Sequence, residues 1–190
     1  ENNTVTVIGT VTKSAVATGA DLVAYSGFTG SNYMYYNASD MAFGTSDFSV
    51  SVWCIPSTDT TNEFILELDN ASAGSNRFYL LTTATATKKL YTPWNNNISG
   101  SELTPGEWNH VVVGRTSGVG YVYVNGNNIS AGTVAWTTSL EGNGNGTISN
   151  YSGGISNDYA WSGSLALLRI SGGTLTAEQI RKMYNDEKDL

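Results

Sequence analysis

The sequence predicts an all-β protein, an antiparallel β-sandwich with one short helix near its C-terminal end. Three observations carry this reading. Apolar residues recur with a period of two along most of the chain, the period of a strand with one buried face. The alternating segments are short and separated by Gly-, Asn- and Ser-rich turns, with 21 glycines in 190 residues. That spacing belongs to a sandwich or barrel. A helical period shows in one place only, near residue 180.

The elements follow in order. Residues 1–20 read as a first strand or as a linker from a longer parent chain, which the Glu1 start also suggests. The whole of 1–190 then reads as a single domain, of ordinary size for a sandwich. Tyr33-Met34-Tyr35-Tyr36 alternates as a strand would and is expected to pack across a sheet edge. In the next strand Phe48, Val50, Val52 and Cys54 share one face, and Ser49, Ser51 and Trp53 share the other. Phe64–Leu68 and Arg77–Leu81 are two further strands. Trp108–Arg115 and Gly120–Val124 read as a hairpin, and Asn125-Gly126 is a tight-turn signal that begins another hairpin back to Ile129. Residues 95–101 and 141–157 read as Asn/Gly/Ser loops. Ser162–Ile170 is nearly all apolar, as in the middle of a packed sheet. Thr176 then caps a helix, and Gln179 completes a capping box. Ile180, Met183 and Tyr184 form its apolar stripe. Asp186, Glu187 and Asp189 sit at its negative end, where acids are unfavourable. The candidate core is Phe48, Val50, Val52, Val112, Val122, Val124, Leu165 and Leu167.

Composition excludes several functions. Sixteen acids against nine bases give a net charge of −7. A duplex nucleic-acid binder needs a basic face, and an anionic membrane surface attracts one, so neither nucleic acid nor membrane is an expected partner. No apolar run approaches the length of a membrane span. The single cysteine, Cys54, excludes an internal disulfide and falls on an apolar strand face, where a thiol is inert. His110 is the only histidine, so no zinc triad can be built on imidazoles. No G-x-S-x-G elbow occurs, and Gly142, Gly144 and Gly146 lack the Lys-Ser/Thr of a phosphate loop.

Three stretches, in order, carry a resemblance. They are Phe48-Ser-Val-Ser-Val-Trp-Cys-Ile-Pro56, then Trp108-Asn-His-Val-Val-Val with Tyr121-Val-Tyr-Val-Asn-Gly126, then Trp161-Ser-Gly-Ser-Leu-Ala-Leu-Leu-Arg-Ile170 with Leu175-Thr-Ala-Glu-Gln-Ile-Arg181. Together they resemble the strand, hairpin and closing segment of laminin-G-like, concanavalin A-like jelly-roll domains. The stretches Ala17–Phe28, Phe43–Phe48 and Ser164–Lys188 are similar to laminin-G-like modules of bacteriophage tail-fibre and other virion proteins. The resemblance implies a jelly-roll sandwich and a lectin-like module without catalytic activity. It places the protein on a virion or outside the cell, in contact with host-surface glycans, as a homo-oligomer or beside other virion proteins. Ala166 stands where such families carry an acid, which weakens any polar role there.

The candidate chemistry follows. A sugar ring offers an apolar face to an aromatic ring, and its hydroxyls pair with amides and carboxylates. Trp94 beside Asn95 and Asn97 forms one such group, and Tyr151, Asn157, Asp158, Tyr159 and Trp161 form a second. Trp53 and Trp108 fall on strand positions and read as core. The family often holds Ca²⁺ at the sandwich rim, and Asp69, Asn70, Glu141 and Asp158 supply oxygens suited to it. The related β-glucanases use a Glu-x-Asp-x-Glu strand. Glu67-Leu-Asp69 matches its first half, but Ala71 and Ser72 stand where the last acid belongs. A divergent glycosidase therefore needs a second carboxylate, and Glu63 is the nearest acid on the strand. A structural or protein-interaction module without a sugar site is the other alternative.

Overall fold

The centre of the fold is a strand buried along nearly its whole length. Phe48–Ile55 (β5) turns Phe48, Val50, Val52 and Cys54 into an apolar interior, and Ser49, Ser51 and Trp53 to the opposite face. Burial pushes the Cys54 thiol far above its ordinary range, so it stays protonated. The computed structural model describes residues 4–68, 76–94, 98, 100–130 and 134–189. Around β5 stands an eight-stranded sheet. β9 (Asn109–Thr116) flanks it on one side and β14 (Ser164–Gly172) on the other. Beyond β9 come β10 (Val119–Val124), β11 (Asn127–Asn128) and β12 (Val134–Ala135). Beyond β14 come β3 (Val23–Ser26) and β2 (Thr12–Ala15).

The facing sheet has six strands. In spatial order they are β1 (Val5–Ile8), β4 (Tyr33–Asn37), β13 (Asn145–Ile148), β6 (Glu63–Glu67), β7 (Tyr79–Thr82) and β8 (Leu90–Tyr91). All pairings among the described strands are antiparallel. This is the two-layer jelly-roll sandwich, with inner side chains of both sheets meeting in one core.

The turns form where their residues permit. Ser117-Gly118 and Asn125-Gly126 have positive φ at both positions, which closes the β9–β10 and β10–β11 hairpins in the left-handed form that suits strand twist. Ile129 donates its N–H to the Val122 carbonyl at 3.0 Å, completing the second hairpin as its sequence predicts.

Four expectations need correction. The Tyr33–Tyr36 strand is one place in from the edge, since β1 covers it. Residues 145–148 are a strand in the middle of the six-stranded sheet and not part of a loop. Gly146 explains why Asn-Gly-Thr-Ile can lie there. A Cβ at Gly146 would meet the Tyr36 ring at 2.3 Å, so the glycine leaves room for a tyrosine whose hydroxyl donates to the Glu67 carbonyl at 2.7 Å. Val112 is buried, but on the outer face of its sheet, with Tyr121 and Ile180. Leu167 sits at a bulge between Ala166 and Arg169 with φ +48° and is only half-buried.

The C-terminal helix α1 (Ala177–Glu187) has both halves of the Thr176/Gln179 capping box. It lies on the outer face of the eight-stranded sheet. Ile180 is fully buried against Val112 and Tyr121, and the Tyr184 ring stacks 5.9 Å from Trp53. Acids tolerate its C-terminal end because they have partners: Glu187 accepts from the Trp53 indole N–H at 2.7 Å and pairs with Arg169 at 2.9 Å. His110, stacked 5.0 Å from Trp53, bonds Ser51 through Nε2 at 3.0 Å. It is a packing residue under the helix.

Candidate functional site

The outer face of the six-stranded sheet carries a groove, created by a one-residue irregularity. Strict alternation would set Phe64, Leu66 and Leu68 on one face and Ile65 and Glu67 on the other. In the structure Phe64 opposes Leu81 and Leu66 opposes Leu80, so Ile65 is an extra residue in β6. Ile65, Leu66 and Leu68 all enter the core, while Phe64 joins an outer tyrosine cluster and Glu67 reaches Arg77 and the 150s loop. Tyr79 and Leu81 of β7 and Tyr91 of β8 line the same groove.

The chain leaving β13 supplies the other wall. Asn150 anchors it: the side-chain oxygen accepts from the Tyr151 N–H at 2.8 Å, and the amide donates to the Thr29 and Ser156 carbonyls. Tyr151 and Tyr159 then stand 5.2 and 5.9 Å from Phe64 and 5.3 Å from each other. Tyr79 and Tyr91 lie 5.8 Å apart on the opposite wall. The groove, with Asn62 and Arg77 completing its lining, measures about 280 Å³.

Its charge is arranged in depth. The Arg77 guanidinium lies 5.0 Å over the Tyr79 ring and 5.3 Å over Tyr151. Its Nη1 reaches Glu67 Oε1 at 2.9 Å, and the other Glu67 oxygen accepts from the Ser152 N–H at 2.9 Å. Burial raises the Glu67 pKa, opposed by the Ser152 hydrogen bonds and Arg77. Burial and the adjacent Tyr91 hydroxyl raise that of Tyr79. The groove thus offers ring faces, hydroxyls and one guanidinium.

The structure brings together only part of the residues expected from sequence. Tyr151 and Tyr159 line the groove. Asn157 and Asp158 are exposed in a single 3-10 turn, where the Asn157 side-chain oxygen accepts from the Gly30 N–H at 2.8 Å. Trp161 is a correction: it is 0% exposed, packed into the main core, and has no face left for a sugar. Trp94 is another. Its ring lies 4.6 Å from Trp136 and 5.8 Å from Phe78, and packs so closely on Gly120 that a Cβ there would come within 2.4 Å. Asn95, Asn97, Asp69 and Asn70 lie outside the described residues. Glu141 is exposed on its loop, and among the described residues no three Asp, Glu, His or Cys side chains gather into a metal site. Phe64, Arg77, Tyr79 and Tyr91 were not expected. The alternation of Arg77-Phe78-Tyr79-Leu80-Leu81 is the signal that sets Arg77, Tyr79 and Leu81 on one face.

The acids separate in the same way. Glu63 pairs with Lys88 at 2.8 Å, both buried, and accepts from Ser57 and Ser162. Glu67 is held by Arg77 and Ser152. Among the described residues the two share no partner, and they stand on either side of the bulge.

Residues 28–181 match Laminin_G_3, described as the Concanavalin A-like lectin/glucanases superfamily, and the chain belongs to that family. No curated protein sequence is similar enough to be matched to it. Among solved structures it is similar to domain 4 of AbnA, a GH43 extracellular arabinanase from Geobacillus stearothermophilus, in complex with arabinotriose. The TM-score is 0.68 at 19% identity, over 96% of this chain and 87% of that one. The botulinum neurotoxin serotype G binding domain gives 0.67 at 11% identity, over 97% of this chain and 46% of that one. A Trypanosoma rangeli sialidase mutant with trans-sialidase activity gives 0.67 at 12%, over 96% of this chain and 29% of that one. At these identities the likeness is one of fold. No described helix is long and apolar enough to cross a membrane.

Proposed function

We propose that this domain is a non-catalytic, lectin-like module that binds glycans in the tyrosine groove. The observation that carries the reading is the convergence of Tyr79, Tyr91, Tyr151, Tyr159, Phe64 and Arg77 in one open depression of about 280 Å³. Aromatic faces stack on sugar C–H faces, and phenol hydroxyls and the guanidinium suit sugar oxygens. The resemblance to phage tail-fibre modules makes a virion surface facing host glycans the proposed setting, where repeated copies would turn weak single-site binding into avidity. The glycosidase reading is weakened because Glu63 and Glu67 are each engaged by separate partners.

The test is a broad glycan array probed with the parent protein and with Tyr91→Ala and Tyr159→Ala, in calcium and in chelator. Binding by the parent that both substitutions reduce by about 10-fold or more supports the groove, on the scale of a lost buried aromatic contact. Loss of binding in chelator would assign the loops a calcium ion. Silence at high protein density would favour an interaction module instead. One observation supports that second reading: Val5, Val7 and Val23 are 46%, 46% and 37% exposed and line an apolar cleft of about 610 Å³ between the two sheets.

A further inference from the structure

Among the described residues Arg77 is the one cation lining the groove. Arg77 meets Glu67 end-on, through Nη1 alone. The second Glu67 oxygen is turned away to the Ser152 N–H. Among the described residues no acceptor meets Arg77 Nη2 or Nε. The carboxylate is 0% exposed and the arginine side chain 24%, so the pair lies with the acid beneath and the cation toward the groove. Two tyrosine rings, Tyr79 and Tyr151, hold the guanidinium plane. A planar fork with N–H donors that no described acceptor meets, beside stacking rings, is a receptor for a planar anion attached to a ring.

We propose that the groove selects glycans bearing a carboxylate on the sugar ring, of uronic-acid type, with Arg77 as the specificity-determining contact; this rests on the groove being the glycan site. The carboxylate takes two parallel hydrogen bonds from the Arg77 edge, while its ring stacks on the tyrosines. Glu67 is a positioning residue, holding Arg77 from below. The net charge of −7 sets a further limit. A densely sulfated polyanion meets long-range repulsion, whereas one carboxylate per ring entering a local cationic site does not need a basic surface.

The experiment is titration calorimetry with a tetra-uronate, with the same oligosaccharide after its carboxyls are reduced to alcohols, and with a neutral oligosaccharide carrying one sulfate ester. The uronate is expected to bind about 10-fold or more tightly than its reduced form, the size of a charge-assisted hydrogen-bond pair. That preference is expected to shrink as salt rises, and to collapse in Arg77→Lys, which keeps the charge but not the fork. Removing Arg77 alone leaves a buried carboxylate without its partner. The double variant Arg77→Gln/Glu67→Gln avoids this, and is expected to fold and to bind the uronate no more tightly than its reduced form. Equal binding of uronate and reduced forms by the parent would overturn the carboxylate proposal while leaving the glycan reading intact. Tighter binding of the sulfate ester would also overturn it, in favour of a general anion site. Binding of none of the three, together with silence on the array, would remove the glycan reading itself.

Discussion

The two outer faces of this sandwich are both aromatic, yet they have opposite fates. On the eight-stranded sheet Trp53, His110, Tyr121 and Tyr123 lie under or beside α1, whose Ile180 and Tyr184 close over them. One polar edge there is satisfied internally: Glu187 accepts from the Trp53 N–H. On the six-stranded sheet Phe64, Tyr79, Tyr91, Tyr151 and Tyr159 meet around a depression with no described element above it. The first set is Trp53, His110 and two tyrosines, covered by a helix that adds a third, Tyr184. The second is dominated by tyrosine, a ring that stacks on one side and bonds water or ligand at its tip. What separates a sealed face from a receptive one is therefore the covering element, not the amount of aromatic surface.

The sharpest way to break the comparison is Trp53→Ala. Trp53 is 5% exposed and touches both His110 and Tyr184. Its removal leaves a cavity beneath α1 and takes the indole donor from Glu187, and is expected to cost about 3–5 kcal/mol of folding stability. Urea denaturation measures it. Glycan binding by whatever remains folded should be unchanged, since no groove residue touches Trp53.

The sealed face also has a pH signature of its own. Burial pushes the His110 pKa down from 6.5 to about 4, with Arg169 adding to the shift and Glu187 opposing it. The folded state therefore holds a neutral imidazole, while the unfolded chain binds a proton below about pH 6.5. Stability is expected to fall as pH drops from about 6.5 toward 4, and to show no further loss from this group below that. Between pH 7 and 4.5 the loss should be about 2–3 kcal/mol larger in the parent than in His110→Gln. Equal slopes in the two proteins would mean the imidazole is not buried as neutral.

Much of this was legible in the sequence. Alternation assigned both faces of Phe48–Ile55 correctly, and the Thr176/Gln179 capping box located α1. The site was less legible, for a physical reason in each case. The bulge at Ile65 reverses the face of every residue before it, so Phe64 turns outward and Glu63 leaves the side that Glu67 occupies. No local property of Glu-Phe-Ile-Leu-Glu announces an extra residue. Trp161 sits among Ser and Gly and looks like a loop aromatic, but contacts distant in sequence bury it completely. Gly146 would read as a turn residue, whereas its lack of a side chain admits the Tyr36 ring inside a sheet. Each miss concerns a long-range contact. Each success concerns a pattern complete within about ten residues.

The smallest effect is the one that sharpens the comparison most. Tyr159 is 37% exposed, at the groove wall, with ring contacts to Phe64 and Tyr151 but no described hydrogen bond from its hydroxyl. Tyr159→Ala removes two ring contacts at a surface that water already reaches, so its stability cost is expected to be about 1 kcal/mol or less. Tyr184 has stacking distances like those of Tyr159 but projects from α1 onto Trp53 and His110, and Tyr184→Ala should cost more than Tyr159→Ala by about 1 kcal/mol or more. The pair is measured by thermal unfolding under one set of conditions. If Tyr159→Ala is as damaging as Tyr184→Ala, the open face is a packing surface like the sealed one, and its tyrosines are held for the fold. If Tyr159→Ala leaves unfolding nearly unchanged while abolishing glycan retention, the ring is there for its ligand.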